Sequence, residues 1–298
     1  GLNCFDYLRS FTVGRGGQFE RQGHHLKYLA SGKEPQIIAG SRRGLPYYPQ
    51  SSEVPVHFHF LNAKSLKQHS DQHGRIKVKP FEQLLKYEVI SNYYRELIRQ
   101  KCPQINWQAF LHKLAKAPKP QAMIRNSPIQ VQDQLTWQKL INPVAGLKIT
   151  TLENYQSAVT SWLARITDQV DHSAPILAAI SCVKRASQLI GRLIANRKFE
   201  KSGYLRFIVK FRLIQKFLTA GPSSNDLRKL LALINAGIVK IMGPRLHVVG
   251  AAKHFIAASF FYPKEMVKAD GLVEARIPRF STRNSRFLRQ LVRAGTIS

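Results

Sequence analysis

The sequence predicts an α+β chain, mostly α, whose strands fall toward its two ends with a large helical insertion between them. Three observations lead there. Strand-like runs sit near the ends: QIIAG at 36–40, then IVKIMG, RLHVV, HFIAASFF and GLVEARI beyond residue 237, bounded by Gly and Pro. Between them, apolar residues recur at helical spacing for most of the chain. Finally, 44% hydrophobic and 21% charged residues in a chain of 298 describe a globule large enough to need no disulfide staples. The divisions fall at 1–62, 63–236 and 237–298.

Taken in order, residues 3–13 read as a helix: Asn3 is placed to cap free backbone N–H groups, Asp6 follows three positions on, and Phe5, Leu8, Phe11 and Thr12 share a face. Gly14, Gly16 and Gly17 end it. A polar turn through His24 and His25 leads to LKYLASGKEP, which turns at Gly32 and Pro35. QIIAG follows as a short buried strand and runs into Ser41, Arg42, Arg43 and Gly44. Beyond a loop through Pro46, Pro49 and Pro55, Pro80 stands in the first turn of FEQLLKYEVISNYYRELIRQ, whose Leu84, Leu85, Val89, Tyr93 and Leu97 keep helical spacing. The linker KAPKPQAMIRNSP (116–128) separates a short helix beginning near Asn106 from one led by Ser127 and Pro128. Thr150 with Glu153 forms a capping-box signature ahead of NYQSAVTSWLARI. Three more helices are predicted at 175–196, 203–219 and 224–236, and a final one at 282–294. No internal repeat is present.

Lys+Arg 46 against Asp+Glu 17 gives a formal net charge of +29, which attracts nucleic acid, acidic lipid surfaces or phosphorylated cofactors. Part of the excess is clustered, with Glu200 the only acid between Asp171 and Asp226. Cys4, Cys102 and Cys182 are odd in number and far apart, so they suggest neither a disulfide framework nor a zinc knuckle and fit a reducing compartment. Apolar runs such as APILAAISCV are cut by charge or proline short of a membrane span, and a cytoplasmic location is expected.

Residues 1–44 have the order of a βαβ nucleotide unit from the last glycine of its turn onward: glycine, helix, strand. In such a unit the turn and helix N-terminus hold a pyrophosphate through backbone N–H groups, and the end of the second strand reads the adenosine ribose. Arginine there accommodates a 2′-phosphate, so Ser41, Arg42 and Arg43 favour NADP(H) over NAD(H). FDYL with GRGGxF, then LKYLASGKEP and GSRRGLPY, resemble the second nucleotide-binding segment of FAD/NAD(P)-binding flavoproteins that carry two dinucleotide-binding folds. GPSSNDLRKLLALINAG with IVKIMGPRL resembles that family's helix and strand after its helical insertion.

The resemblance implies an incomplete Rossmann-like core in an NADPH-dependent, FAD-containing oxidoreductase, similar to flavin-dependent hydroxylases, in which hydride passes from NADPH to FAD and then to oxygen or another acceptor. By motif match, Gly1, Leu2 and Asn3 line the pyrophosphate turn, and Ser41, Arg42 and Arg43 face the 2′-phosphate. It also implies an internal fragment beginning within the NAD(P)-binding turn, because the glycine-rich FAD fingerprint is absent from this chain. No catalytic residue is assigned.

Other constellations have plainer readings. His57 and His59 alternate, with His24 and His25 as further conceivable ligands, but no acid or cysteine accompanies them at a metal-site spacing, so they read as surface histidines. Arg276, Arg279, Arg283, Arg286, Arg289 and Arg293 read as solvated surface interrupted by Pro278. Tyr204, Phe207, Phe211 and Phe217 interleave with Arg206, Lys210, Arg212 and Lys216, a pattern that suits base stacking but more often builds core. The rival reading of the whole chain is a basic helical protein that binds nucleic acid or another polyanion and catalyses nothing.

Overall fold

A computed structural model describes residues 2–23, 25–117, 120–144, 146–147, 149–172, 174–275 and 285–296. Gly1, His24, Arg276, Arg279 and Arg283, named above, lie outside them.

Helix α1 spans Asn3–Phe11 and buries Leu8. Its capping position is Leu2, in helical conformation and with no side-chain cap, so Asn3 is the first helical residue and not the cap expected of it. Strands β1 (Gln18–Gln22) and β2 (His25–Leu29) then form an antiparallel hairpin where the sequence suggested only a polar turn. Few apolar residues mark it: Phe19 and Tyr28 pair across it with ring centroids 4.9 Å apart. The hairpin is tied to the following loop by Glu34, whose Oε1 accepts from the Tyr28 hydroxyl at 2.7 Å and from Ser31 N–H at 2.8 Å. Strand β3 (Ile37–Ser41) comes next, half-buried rather than enclosed.

The helical part contains α2 (Ala63–Gln68), α3 (Val78–Lys101), α4 (Trp107–Lys116), α5 (Pro120–Arg125), α6 (Trp137–Ile141), α7 (Leu152–His172), α8 (Ala174–Ala195), α9 (Tyr204–Thr219) and α10 (Ser224–Asn235). Asn106 caps α4 through its side-chain oxygen, as its position predicted, while α10 is capped by Ser223, one residue before the Ser224 at which that helix was expected to start. Thr151, one residue beyond the predicted Thr150, accepts from Asn154 N–H and caps α7. The expected linker at 116–128 holds α5, and the helix predicted from Ser127 gives way to a single 3₁₀ turn at Val131–Asp133 followed by α6 behind its Thr136 cap.

Helices α3 and α8 form the main helical seam. Aromatic residues fill it on either side: Phe81 meets Phe199 and Phe207 edge-on, while Tyr48, Trp162 and Phe217 form a second cluster. Phe207, Phe211 and Phe217 of α9 are buried, so the aromatic half of the base-stacking pattern is core.

One buried polar group organises a long irregular segment. Glu88 on α3 is fully enclosed, and its carboxylate accepts three consecutive backbone N–H groups, from His59 (2.8 Å), Phe60 (2.6 Å) and Leu61 (2.8 Å). Asn92, one turn on, donates to His57 O and to Cys182 Sγ, and Ser181 Oγ accepts from Val54 N–H. The 51–61 segment forms no sheet, so these side chains supply the partners that a buried backbone requires. Burial pushes the Glu88 carboxyl up despite the three amides, and it pushes the Cys182 thiol well up. Cys4, Cys102 and Cys182 are all free thiols.

After α10 come β4 (Val239–Pro244), β5 (Leu246–Ala251), β6 (His254–Ser259) and β7 (Tyr262–Ala269), then α11 (Arg286–Arg293). Strand β4 pairs with β3 in parallel, Ile37 opposite Val239, and β5-β6-β7 form an antiparallel meander. GLVEARI was expected as a strand; its described residues, 271–275, are irregular, and β7 upstream takes the third place in the meander. Helices α7 and α10 both pack on β4. The chain is thus mixed helix and sheet, and no helix among the described residues is long and apolar enough to cross a membrane.

Two measurements follow from these buried and tethering carboxylates. Glu88→Gln leaves one oxygen to serve donors that now use two and turns an NH₂ toward a strap N–H, so it should cost about 1–3 kcal/mol in urea unfolding with unchanged m. Glu34 sits at about 2, chiefly because Tyr28 donates to it, against 4.5 without partners. Its contribution is therefore complete above pH 4.5 and lost as pH falls toward 2, and Glu34→Gln should flatten that part of a plot of unfolding midpoint against pH.

Candidate functional site

The C-terminal ends of parallel strands are where ligands meet an α/β sheet, and here that edge is formed by Ser41 of β3 and Pro244 of β4, which lie opposite each other. The ladder is irregular just before it: Ala39 faces Ile241 but Ser41 faces Pro244, so β4 carries an extra residue, the kind of bulge that re-aims side chains beside sites. Gly243 takes a left-handed φ of 87° at the bulge and Gly44 one of 78° in the turn after β3. A Cβ on Gly44 would stand 2.6 Å from Pro244 N and 2.4 Å from the Tyr155 hydroxyl, so glycine is what lets the two strand ends close together.

Hydrogen bonds then fix the turn. Gly44 N–H donates to Ser41 Oγ at 2.9 Å, and Arg245 N–H donates to Arg42 O at 3.1 Å. Directly after the turn the chain enters the core: Leu45 and Tyr48 are buried, Tyr48 N–H donates to Phe217 O, and its hydroxyl donates to Leu140 O at 3.0 Å. Ser-Arg-Arg-Gly is therefore a turn held by both strands at one end and by an aromatic anchor at the other.

Its two arginines have different surroundings. Arg43 is half-buried; its Nη1 donates to Ile141 O at 2.7 Å and its guanidinium lies 4.2 Å from the Phe217 ring centroid. Burial lowers its pKa from the usual arginine value. It also lines an open groove of about 610 Å³ beside Leu205, Val209 and Leu213 of α9. Arg42 is exposed, and among the described residues no hydrogen bond, ion pair or ring contact engages its side chain. Across the strand pair stands Arg245, at the unusual φ of 51°, with its guanidinium 5.5 and 5.8 Å from the rings of Phe260 and Phe261. Among the described residues no carboxylate pairs with Arg42, Arg43 or Arg245.

The structure thus gathers Ser41, Arg42 and Arg43 with Gly243, Pro244 and Arg245 at one strand edge. Leu2 and Asn3 lie exposed at the uncapped start of α1, and among the described residues no hydrogen bond or ring contact joins them to that edge. Gly1 lies outside the described residues. Sequence reasoning missed Arg245, Phe260 and Phe261 because the β6–β7 turn is the pair Phe260–Phe261 itself, with Ser259 opposite Tyr262 and no Gly or Asn to signal a hairpin. His57 and His59 are exposed on the 51–61 segment, and among the described residues no group of three or more His, Cys, Asp and Glu is placed to hold a metal ion.

No protein-family model matches the chain. Over nearly its whole length it is similar to named oxidoreductases of monooxygenase type. It is 28% identical, over 317 aligned positions, to an L-aspartate N-monooxygenase (nitrosuccinate-forming) of Streptomyces davaonensis, covering 99% of this chain and 48% of that protein. A second L-aspartate N-monooxygenase, from Streptomyces cremeus, is 28% identical with 99% and 47% covered. A nitrosuccinic acid synthase of Aspergillus oryzae is 25% identical with 96% and 46% covered. The chain spans about half the length of the curated relatives it matches.

The two neighbouring arginines separate in a stability experiment. Arg43→Ala removes a charged hydrogen bond and a ring contact and should cost about 2 kcal/mol, whereas Arg42→Ala should stay within about 0.5 kcal/mol of the parent. Urea unfolding of both variants checks this.

Proposed function

We propose that this chain carries the NADPH-recognising part of a flavin-dependent N-monooxygenase whose substrate is the amine of a small amino acid, aspartate by analogy with the relatives' names. The observation that carries the reading is Arg42. It is an exposed, unpaired guanidinium on a fixed turn at the C-terminal edge of a parallel strand pair, where an adenosine 2′-phosphate would sit in a Rossmann-like arrangement.

The residues present fit that group in chemistry. A phosphate with a charge near two needs cations and N–H donors without competing acids, and the edge offers Arg42 and Arg245, which have no carboxylate partner among the described residues. Of the three residues expected to face the 2′-phosphate, this reading keeps Arg42 there, while Ser41 accepts from Gly44 N–H and maintains the turn's shape. Arg43 positions the turn by anchoring it to α6 and α9. The uncapped first turn of α1, at Leu2 and Asn3, offers free N–H groups to a pyrophosphate. NADPH held here would supply the hydride equivalents that flavin-dependent oxygen transfer to an amine nitrogen needs. What this chain's residues contribute is selection and placement of the nicotinamide dinucleotide, and none of them is assigned to FAD.

Titrating the chain with NADPH and NADH tests the proposal. The parent should prefer NADPH, and Arg42→Ala should lower NADPH affinity about tenfold or more, to the level of NADH, with folding unchanged. An Arg42→Ala variant that keeps the parent's preference would remove the assignment. Binding that falls steeply with salt while ignoring the 2′-phosphate would replace it with the polyanion reading.

A further inference from the structure

The proposed function leaves Phe260 and Phe261 unexplained. They are 62% and 55% exposed, large rings at the tip of a tight turn, where solvent contact costs free energy without adding to the core. Their backbone is nonetheless well fixed: Phe260 N–H donates to Arg245 O at 3.2 Å, Phe261 N–H to Ser259 Oγ at 3.2 Å, and Ser259 Oγ–H to Pro244 O at 2.6 Å. The rings stand edge to face, 5.6 Å apart, with the Arg245 guanidinium near both.

This tip is joined to the phosphate-facing turn by main-chain bonds. Arg42 O accepts from Arg245 N–H, and Arg245 O accepts from Phe260 N–H, so three neighbouring segments place Arg42, Arg245 and Phe260 in succession across the same edge. Two such steps of about 4.8 Å each keep Arg42 and Phe260 within roughly 10 Å of each other at the backbone. A ribose bridges a base and a 2′-phosphate over such a span once an arginine side chain reaches in from one end.

We propose that Phe260 and Phe261, backed by Arg245, form the stacking platform for the purine base of the nucleotide whose 2′-phosphate Arg42 binds. The platform rests on the reading above and deepens it. Its occupant follows from the chemistry of the patch: flat apolar faces suit a base, and adjoining guanidinium groups without acids suit its phosphate. A second copy of this chain is a poor occupant, because two bodies of net charge +29 repel. Strain at Arg245, a non-glycine residue with φ of 51°, is concentrated where the platform meets the phosphate turn, as expected of a positioned binding residue.

The test uses the chain with adenosine 2′,5′-bisphosphate, and with sodium pyrophosphate as a base-free probe, both followed by calorimetric titration. Phe260→Ala/Phe261→Ala should bind the bisphosphate at least tenfold more weakly than the parent and pyrophosphate equally well, and Phe260→Tyr/Phe261→Tyr should restore the loss. Both positions are exposed, and circular dichroism of each variant checks that it folds. Equal bisphosphate affinity in the alanine variant and the parent would overturn the platform. If Arg42→Ala weakens the bisphosphate in that case, the phosphate assignment stands alone; if it also has no effect, or the parent does not bind the bisphosphate, both fall. Equal losses for the two probes in the alanine variant would likewise overturn stacking and make the tip a structural support.

Discussion

Everything at the candidate site depends on the parallel registration of Ile37–Ser41 with Val239–Pro244. Parallel strands cannot be joined by a hairpin, so the chain between them must leave the sheet and return from the opposite end. Here that excursion is the whole helical part: Gln36 Nε2 donates to Gly237 O, 201 residues away in sequence. The entropy of closing such a loop grows only with the logarithm of its length, and the excursion packs into one continuous core with the strands, Val239 and Ile241 of β4 included, so the long separation is thermodynamically mild. Its structural consequence is large. Both strands end on the same side, and a turn from the beginning of the chain meets a turn from its last quarter.

The helical excursion also determines how firmly that edge is held. Helix α7 reaches it twice: Gln156 Nε2 donates to Ile241 O at 2.9 Å, and Tyr155 packs on Tyr262 with ring centroids 5.9 Å apart. Tyr48 carries the turn into the Trp162–Phe217 cluster, and the Glu88 carboxylate then fixes the next irregular stretch against α3. Loops that display binding groups work when a rigid scaffold positions them. From residue 41 to residue 61 the chain contains no helix or strand beyond the end of β3, yet side chains from α3, α7 and α8 satisfy its backbone or fill the space beneath it.

Local rules showed most of the helices. Pro80, Asn106, Ser224 and Gly237 mark starts and stops through capping chemistry that acts within one turn, and the structure realises each within a residue or two, with Ser223 taking the cap beside Ser224. Thr150 was off by a single position because Thr151, with the same hydroxyl, takes the cap. What escaped was non-local or unsignalled. Strands β1 and β2 place only a few apolar side chains inward, so alternation was too weak to register. HFIAASFF read as one strand because nothing in Phe-Phe announces a turn; the reversal there is imposed by β7 and by the Ser259 hydroxyl on Pro244 O. At the site, Ser41, Arg42 and Arg43 were visible as a motif, but Arg245 could join them only through the parallel pairing, which local sequence does not encode.

The separation of Arg42 from Arg43 shows why a motif does not by itself assign roles. Both arginines follow β3 in the turn, where Arg43 packs on the helical body and Arg42 is exposed. Among the described residues no carboxylate of the body receives the inward one. It offers instead the face of Phe217 and the free carbonyl at the end of α6, which together satisfy a guanidinium with little need for a counter-charge. A lysine there would keep its charge but could not lie flat on the ring while donating to Ile141 O, and an acid would be left without a donor. Arg43 is thus required by the packing whatever the site binds, and that requirement holds Arg42 facing outward with its charge unspent. Ser-Arg-Arg-Gly is structurally asymmetric: Arg43 builds the turn, and Arg42 is presented by it.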